Sequence, residues 1–261
     1  MKLRRTALAA ITAVALSVTV AASADASTTH HSTSVKPTIV LVHGAWADGS
    51  SWAGVTERLE AAGYAVIVFA NPLRGVTADS AALKAYLDHL TGPIVLAGHS
   101  YGGMLITNAA SGDPDVTSLV YVDAFVPRQG DTVNGLTGES PGSALGDRTV
   151  FDQVGADLYI KQTAFPAIFA GGVPARTAAR LAAGQRPLSG AALGEPSPNT
   201  PAYTTIPAWD VIGTADRVIP PAEQELMAAR AGARVVRIKA PHLSMVSNPA
   251  AITAVITAAA R

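Results

Sequence analysis

At 261 residues, 49% of them hydrophobic and 15% charged, the chain is long enough to bury one sizeable core and lacks the composition of a disordered protein. Nineteen basic residues balance nineteen acidic ones, and no Lys/Arg cluster forms beyond the N-terminus, which argues against nucleic acid as a partner. The absence of cysteine excludes disulfides and a lipidated cleavage-site cysteine, so core packing alone must hold the fold.

Lys2, Arg4 and Arg5 precede an apolar run from Ala7 to Ala22 and small residues at Ala22-Ser23-Ala24 and Ala24-Asp25-Ala26. This pattern predicts a secretory signal peptide over 1–26 and a secreted, extracytoplasmic product without stable membrane insertion, because the run is short for a span and rich in Ala and Thr. Residues 27–36 read as a flexible polar leader. Its His30-His31 pair has no further ligands nearby, so no metal site is expected there.

From Thr38 strands and helices alternate. Thr38–Val42 is β-branched and runs into His43-Gly44-Ala45-Trp46, and a helix is expected over Ser50–Ala62. Tyr64–Ala70 reads as a strand, Asp79–Leu90 as a helix, Ile94–Ala97 as a doubly buried strand, Tyr101–Ala110 as a helix and Leu119–Val122 as a strand. Gly63, Gly92 and Gly112 stand where helices should stop. Such alternation predicts a parallel sheet covered on both faces, with its site at the C-terminal strand ends. From Pro127 to about Thr205 the rhythm breaks. Many Gly and Pro, little strand pattern, apolar Phe151, Leu158, Tyr159, Ile160, Phe165 and Phe169, and one short helix over Arg176–Gly184 predict a cap over 127–205, with Glu195–Pro207 as its return linker. Strand Ile206–Ile212, helix Ala222–Ala231, strand Arg234–Ile238 and a closing helix over Asn248–Ala260 complete a core made of 37–126 and 206–261.

Gly98-His99-Ser100-Tyr101-Gly102 lies between a strand and a helix, the context in which a Gly-x-Ser-x-Gly turn exposes its serine at a helix N-terminus. Asp216 follows one late strand and His242 the next. A serine nucleophile needs an imidazole to take its proton, a carboxylate to hold the imidazole tautomer, and N–H donors for the oxyanion. Ser100, His242 and Asp216 are the catalytic candidates, with the backbone N–H groups of Ala45 and Tyr101 as the oxyanion hole. Asp123, which also follows a strand, is an alternative acid, whereas Asp210 lies inside a strand and reads as structural. His99 should point away from the serine, and His43 should brace the oxyanion turn.

His43-Gly44-Ala45-Trp46, Gly98-His-Ser-Tyr-Gly-Gly, Gly213-Thr-Ala-Asp-Arg-Val-Ile-Pro-Pro and Pro241-His242 with Ser247-Asn-Pro249 resemble the α/β-hydrolase superfamily, in its branch of plant methyl esterases, hydroxynitrile lyases and small bacterial carboxylesterases. The order Ser100, Asp216, His242 is the chain order of that superfamily. The resemblance implies an α/β-hydrolase fold of about six mostly parallel strands flanked by helices, with a small cap between the sixth and seventh strands of the full family sheet. It also implies ester hydrolysis through an acyl-enzyme, without cofactor or metal. Leu243 and Gly44 stand where the lyases carry lysine and threonine, which disfavours lyase chemistry, and Ser100 disfavours dehalogenases and epoxide hydrolases, which use aspartate there. The apolar, aromatic cap favours a small-molecule, uncharged ester with a small acyl group or a ring, with Trp46 and Phe125 as pocket candidates. Lactone or amide hydrolysis by the same residues is a further reading. A ligand-binding protein on a hydrolase scaffold is another, from a different class.

Overall fold

Short runs of Val, Ile and Leu with no polar interruption build the centre of the molecule. The computed structural model describes residues 36–139 and 141–261; the expected signal segment, the leader to residue 35 and His30-His31 lie outside the described residues. The first half of the core comprises β1 (Thr38–Val42), α1 (Ala53–Ala61), β2 (Val66–Phe69), α2 (Val76–Leu87), β3 (Ile94–His99), α3 (Gly102–Ala109) and β4 (Val116–Val122). Residues 127–205 carry α4 (Val133–Glu139), β5 (Phe151–Val154), β6 (Asp157–Ile160), α5 (Phe165–Ile168), α6 (Ala175–Ala183) and β7 (Leu188–Ser189). The chain then returns through β8 (Ala208–Gly213), α7 (Pro221–Arg230), β9 (Arg234–Ile238), α8 (Ser244–Ser247) and α9 (Pro249–Ala259).

The main sheet has the order β2-β1-β3-β4-β8-β9, and every pairing in it is parallel. Every residue of β3 is buried. Burying each of its Ile, Val and Leu side chains is worth about 1.5–3 kcal/mol, so helices must cover both faces of that strand. At the edge, β9 keeps charged side chains: Arg234 lies over the Trp209 ring at 5.1 Å, and Arg237 donates two hydrogen bonds to Glu225. Such an edge resists pairing with another chain.

Several expected boundaries move for local reasons. The helix expected from Asp79 begins at Val76, because the Asp79 carboxylate accepts the N–H groups of Arg74 and Gly75 at 3.0–3.2 Å and organises the turn ahead of it. The segment expected as one helix from Ser50 is a 3-10 turn over Gly49–Trp52, capped by Asp48, followed by α1. Gly63 stops α1 with φ 78°, Tyr64 N–H donating to Leu59 O at 3.0 Å and Gly63 N–H to Glu60 O at 2.8 Å. β4 starts at Val116, before the Leu119 expected, because exposed Thr117 interrupts the apolar run.

The cap segment, expected to hold little strand, carries a three-stranded sheet of order β5-β6-β7 with antiparallel pairings. Its strands have four, four and two residues, and Asp152, Gln153 and Val154 are exposed, so no alternation marks them. This segment is tied to the core. Trp46 Nε1–H donates to Leu158 O at 2.9 Å, Arg74 pairs with Asp157 at 2.7 Å, and Ser189 N–H donates to Leu73 O at 3.0 Å. The return linker is pinned by Asn108 at the end of α3, which donates to Ser197 Oγ at 2.9 Å and accepts Asn199 N–H at 2.9 Å.

Candidate active site

The turn between β3 and α3 has no room for side chains other than the one it displays. A Cβ on Gly98 would lie 2.7 Å from Gly102 O, one on Gly102 would lie 2.7 Å from Val42 O, and one on Gly103 would overlap Phe125 O. Strand and helix therefore approach at backbone distance, and the residue between them takes up the bend: Ser100 has φ 52°, left-handed for a residue with a side chain. Such strain costs on the order of 1–3 kcal/mol and persists only where the surroundings enforce it. Here Ser100 N–H donates to Val122 O, and Ser100 O accepts Gly103 N–H and Phe125 N–H, at 2.9–3.3 Å.

Beyond β8, the turn Gly213–Pro220 folds around Asp216. Its Oδ1 accepts Val218 N–H at 2.7 Å and Ile219 N–H at 3.1 Å, and its Oδ2 accepts Gln224 Nε2–H at 2.9 Å from the first turns of α7. Beyond β9, His242 donates Nδ1–H to Asp216 Oδ2 at 2.8 Å, which leaves Nε2 as an acceptor 3.0 Å from Ser100 Oγ. Three residues that follow three different strands are thus joined by two hydrogen bonds. Burial pushes the Asp216 carboxyl up, opposed by the N–H groups of Val218, Ile219 and Gln224, which favour its ionised form. Burial also lowers His242 to about 3, so its imidazole is neutral and able to accept a proton.

Asp123, the alternative acid, is engaged elsewhere. It is buried with φ 46°, and it accepts Gly213 N–H at 2.8 Å and Ser244 N–H at 3.2 Å. It therefore joins the end of β4 to the acid turn and to the turn after His242, without a bond to the imidazole. Burial first, then the neighbouring Asp216, raise its pKa well above the carboxylate range. Asp210 is buried in β8 with both oxygens unpaired among the described residues, and burial holds it well above the carboxylate range, as a neutral acid.

Two further buried histidines, His99 and His43, brace the site. His99 donates Nε2–H to His242 O at 3.0 Å, and its ring lies 4.7 Å from that of His242. His43 donates Nδ1–H to Gly44 O at 3.0 Å and accepts Asn71 N–H at 3.2 Å on Nε2; burial lowers it to about 4, which keeps it neutral. The turn it braces carries Ala45, whose backbone N–H, like that of Tyr101, makes no hydrogen bond to a described residue although both residues are buried. Two unsatisfied buried donors beside a serine are what a developing oxyanion requires. Tyr101 is held by its hydroxyl, which donates to Asp79 at 3.0 Å.

Ala45, Trp46, Ser100, Tyr101 and Phe125 line one small void of about 10 Å³ with cap residues such as Leu145. Trp46 and Phe125 thus line the same void as Ser100. Gln224, Asn71 and the lining leucines Leu145, Leu188 and Leu193 escaped the sequence reading, which places Phe169 only as a cap side chain. Phe169 packs edge-on against His242 at 5.0 Å. Only Gln224 carried a signal, an amide at the start of the helix that follows Asp216. Among the described residues no group of three His, Cys, Asp or Glu side chains is placed to hold a metal ion, and no helix is long and apolar enough to cross a membrane.

With this geometry the chain can be set beside known proteins. A model of the alpha/beta hydrolase family matches residues 39–255. A carbendazim-hydrolysing esterase from Nocardioides sp. (strain SG-4G) is 36% identical over 110 residues, 37% of this chain; the match spans less than half of that relative, 46% of its length. Among solved structures, a pyrethroid hydrolase from Sphingobium faniae JZ-2 aligns with a TM-score of 0.72 at 24% identity, covering 86% of this chain and 97% of its own. An extracellular alpha/beta-hydrolase from a Paenibacillus species aligns with a TM-score of 0.74 at 21% identity over 86% of this chain and 99% of its own. Polyneuridine aldehyde esterase aligns equally well, with a TM-score of 0.74 at 18% identity, covering 86% and 99%.

Proposed function

The chain belongs to the alpha/beta hydrolase family, and from that premise we propose that it is an exported serine carboxylesterase acting on small or aromatic uncharged esters. The observation that carries this reading is the hydrogen-bonded line from Asp216 through His242 to Ser100, with distances of 2.8 and 3.0 Å. His242 Nε2 takes the Ser100 proton as Oγ attacks the ester carbonyl carbon. The Ala45 and Tyr101 N–H groups stabilise the tetrahedral oxyanion, and Asp216 stabilises the imidazolium and fixes its tautomer. Collapse expels the alcohol, protonated by His242, and leaves an acyl-serine. Water, activated by the same imidazole, then attacks the acyl carbon and releases the acid. No cofactor enters any step.

An ester-cleaving reading is supported by the names of the Nocardioides and Sphingobium proteins, and an uncharged substrate by the apolar and aromatic void lining. Lyase chemistry fits poorly. A Cβ at position 44 would lie 2.7 Å from Ser100 Cβ, so no threonine fits the oxyanion turn, and buried Leu243 rather than a cation follows His242. Export rests on Lys2, Arg4 and Arg5 ahead of the Ala7–Ala22 run.

Turnover of p-nitrophenyl esters of increasing acyl length, by the purified protein and by Ser100→Ala, tests the activity. Short-chain activity that disappears in the variant is expected. A folded wild-type protein inert on the whole series, and inert on lactones and amides, would move the reading to ligand binding. N-terminal sequencing of protein recovered outside the cytoplasm tests export: a start between residues 23 and 27 is expected, and an intact Met1 would refute it.

A further inference from the structure

The void beside Ser100, at about 10 Å³, has no space for a ring. A second cavity of about 180 Å³ shares Trp46, Val133, Leu145 and Leu193 with it. A third of about 510 Å³ continues from the second along Asn134, Arg148, Phe151 and Leu193. Because Trp46, Val133, Leu145 and Leu193 bound both the void and the second cavity, these adjoining cavities are the space beside the serine void into which the bulky half of an ester would extend.

The groove has an aromatic wall and a polar end. Phe151 packs on Trp46 with ring centroids 5.3 Å apart, and Trp46 is fixed by its bond to Leu158 O. At the polar end Arg148 Nη2–H donates to Asn134 Oδ1 at 3.0 Å. That bond turns the Asn134 amide so that its Nδ2–H group, like the remaining guanidinium N–H groups, makes no hydrogen bond to a described residue. Thr137 and Gln153, the other polar side chains on these walls besides that pair, donate to the carbonyls of Val133 and Gly155. Arg74, Arg230 and Arg237 each sit against a carboxylate, whereas Arg148 makes no ion pair among the described residues. A cation and an amide with spare donors thus stand at the end of an aromatic-walled groove that shares its walls with the void beside the serine.

We propose that this groove holds the aromatic half of an ester, and that Arg148 with Asn134 selects rings carrying a hydrogen-bond acceptor, such as a carbonyl oxygen, at the far end. The inference rests on the esterase reading and deepens it to a substrate class. Two matched pairs test it: 4-acetylbenzyl against 4-isopropylbenzyl acetate, and methyl (4-acetylphenyl)acetate against methyl (4-isopropylphenyl)acetate. In each, a methylene insulates the ester from the ring substituent. A hydrogen bond to a charged donor in a wet groove is worth about a factor of ten. The acetyl member of at least one pair should therefore show about ten-fold higher kcat/KM, and Arg148→Met should bring that ratio close to one. Arg176→Met, an exposed arginine on α6, should leave the ratio where it was. A ratio near one in both pairs, or one that survives Arg148→Met, overturns the inference.

The same comparison by calorimetric affinity in the Ser100→Ala background decides the point without turnover. If the wild type hydrolyses neither these esters nor the p-nitrophenyl series while the affinity ratio and its loss in Arg148→Met are present, the groove stands and the esterase reading falls. If both members bind equally, the groove falls.

Discussion

Replacing Asp216 by Asn keeps the size of the side chain and changes what its atoms can do. The aspartate accepts four N–H groups, two from the backbone on Oδ1 and two, from Gln224 and His242, on Oδ2. Asparagine holds the backbone pair on its carbonyl oxygen, so its NH₂ must face Gln224 Nε2 and His242 Nδ1. The imidazole then turns to the tautomer with Nε2–H towards Ser100 Oγ and can no longer take its proton. For this change of tautomer the expected loss in turnover is on the order of 10⁴. At about 1.36 kcal/mol per factor of ten, that is about 5.5 kcal/mol of lost transition-state stabilisation. The introduced amide, set donor to donor against that of Gln224, should also lower stability by about 1–3 kcal/mol. The assay is kcat on p-nitrophenyl acetate beside Ser100→Ala, with thermal unfolding as the check on folding. An Asp216→Asn variant within tenfold of wild type, with Asp123→Asn down by about 10⁴, would refute the assignment and return the acid role to Asp123.

Asp123→Ala should leave the Gly213 and Ser244 N–H groups buried without an acceptor, at about 1–3 kcal/mol each, visible as a lower unfolding midpoint, while kcat falls far less than in Asp216→Asn. An unchanged midpoint would contradict the clamp described for it. Gly98→Ala would place a methyl 2.7 Å from Gly102 O and should displace the serine turn, seen as lost labelling and turnover in a protein that still folds; near-normal activity would show that the turn yields more easily than its packing implies. The pH profile follows from His242, whose neutral form is the base. Burial depresses its folded-state pKa to about 3, so the active form persists as pH falls below the ordinary imidazole value of about 6.5. The acid limb of kcat/KM should lie below that value, and a limb at or above it would contradict the burial argument.

The core was legible because β1, β2 and β3 carry apolar runs and α1 stops at Gly63, which takes positive φ; α2, expected to run to Leu90, ends at Leu87, short of Gly92. Ser100, Asp216 and His242 stood out because each follows a strand, and parallel strands bring their C-terminal ends to one edge of the sheet. The cap was much less legible. β5 to β7 are too short to show alternation, and β7 pairs with β6 across an intervening helix pair, α5 and α6, a long-range contact that leaves no local pattern. The bracing bonds were hidden for a related reason. Asn71 on the oxyanion turn, Gln224 on Asp216 and His99 on the His242 carbonyl are side-chain contacts whose partners are set by the fold rather than by spacing along the chain.

The account turns on Ser100 being an activated nucleophile, and covalent labelling with a fluorophosphonate reads that directly. The expected result is a single adduct mapped to Ser100 by peptide mass spectrometry, absent in Ser100→Ala and strongly slowed in His242→Ala and Asp216→Asn. A folded wild-type protein that takes up no label, or takes it up on another serine, would contradict it.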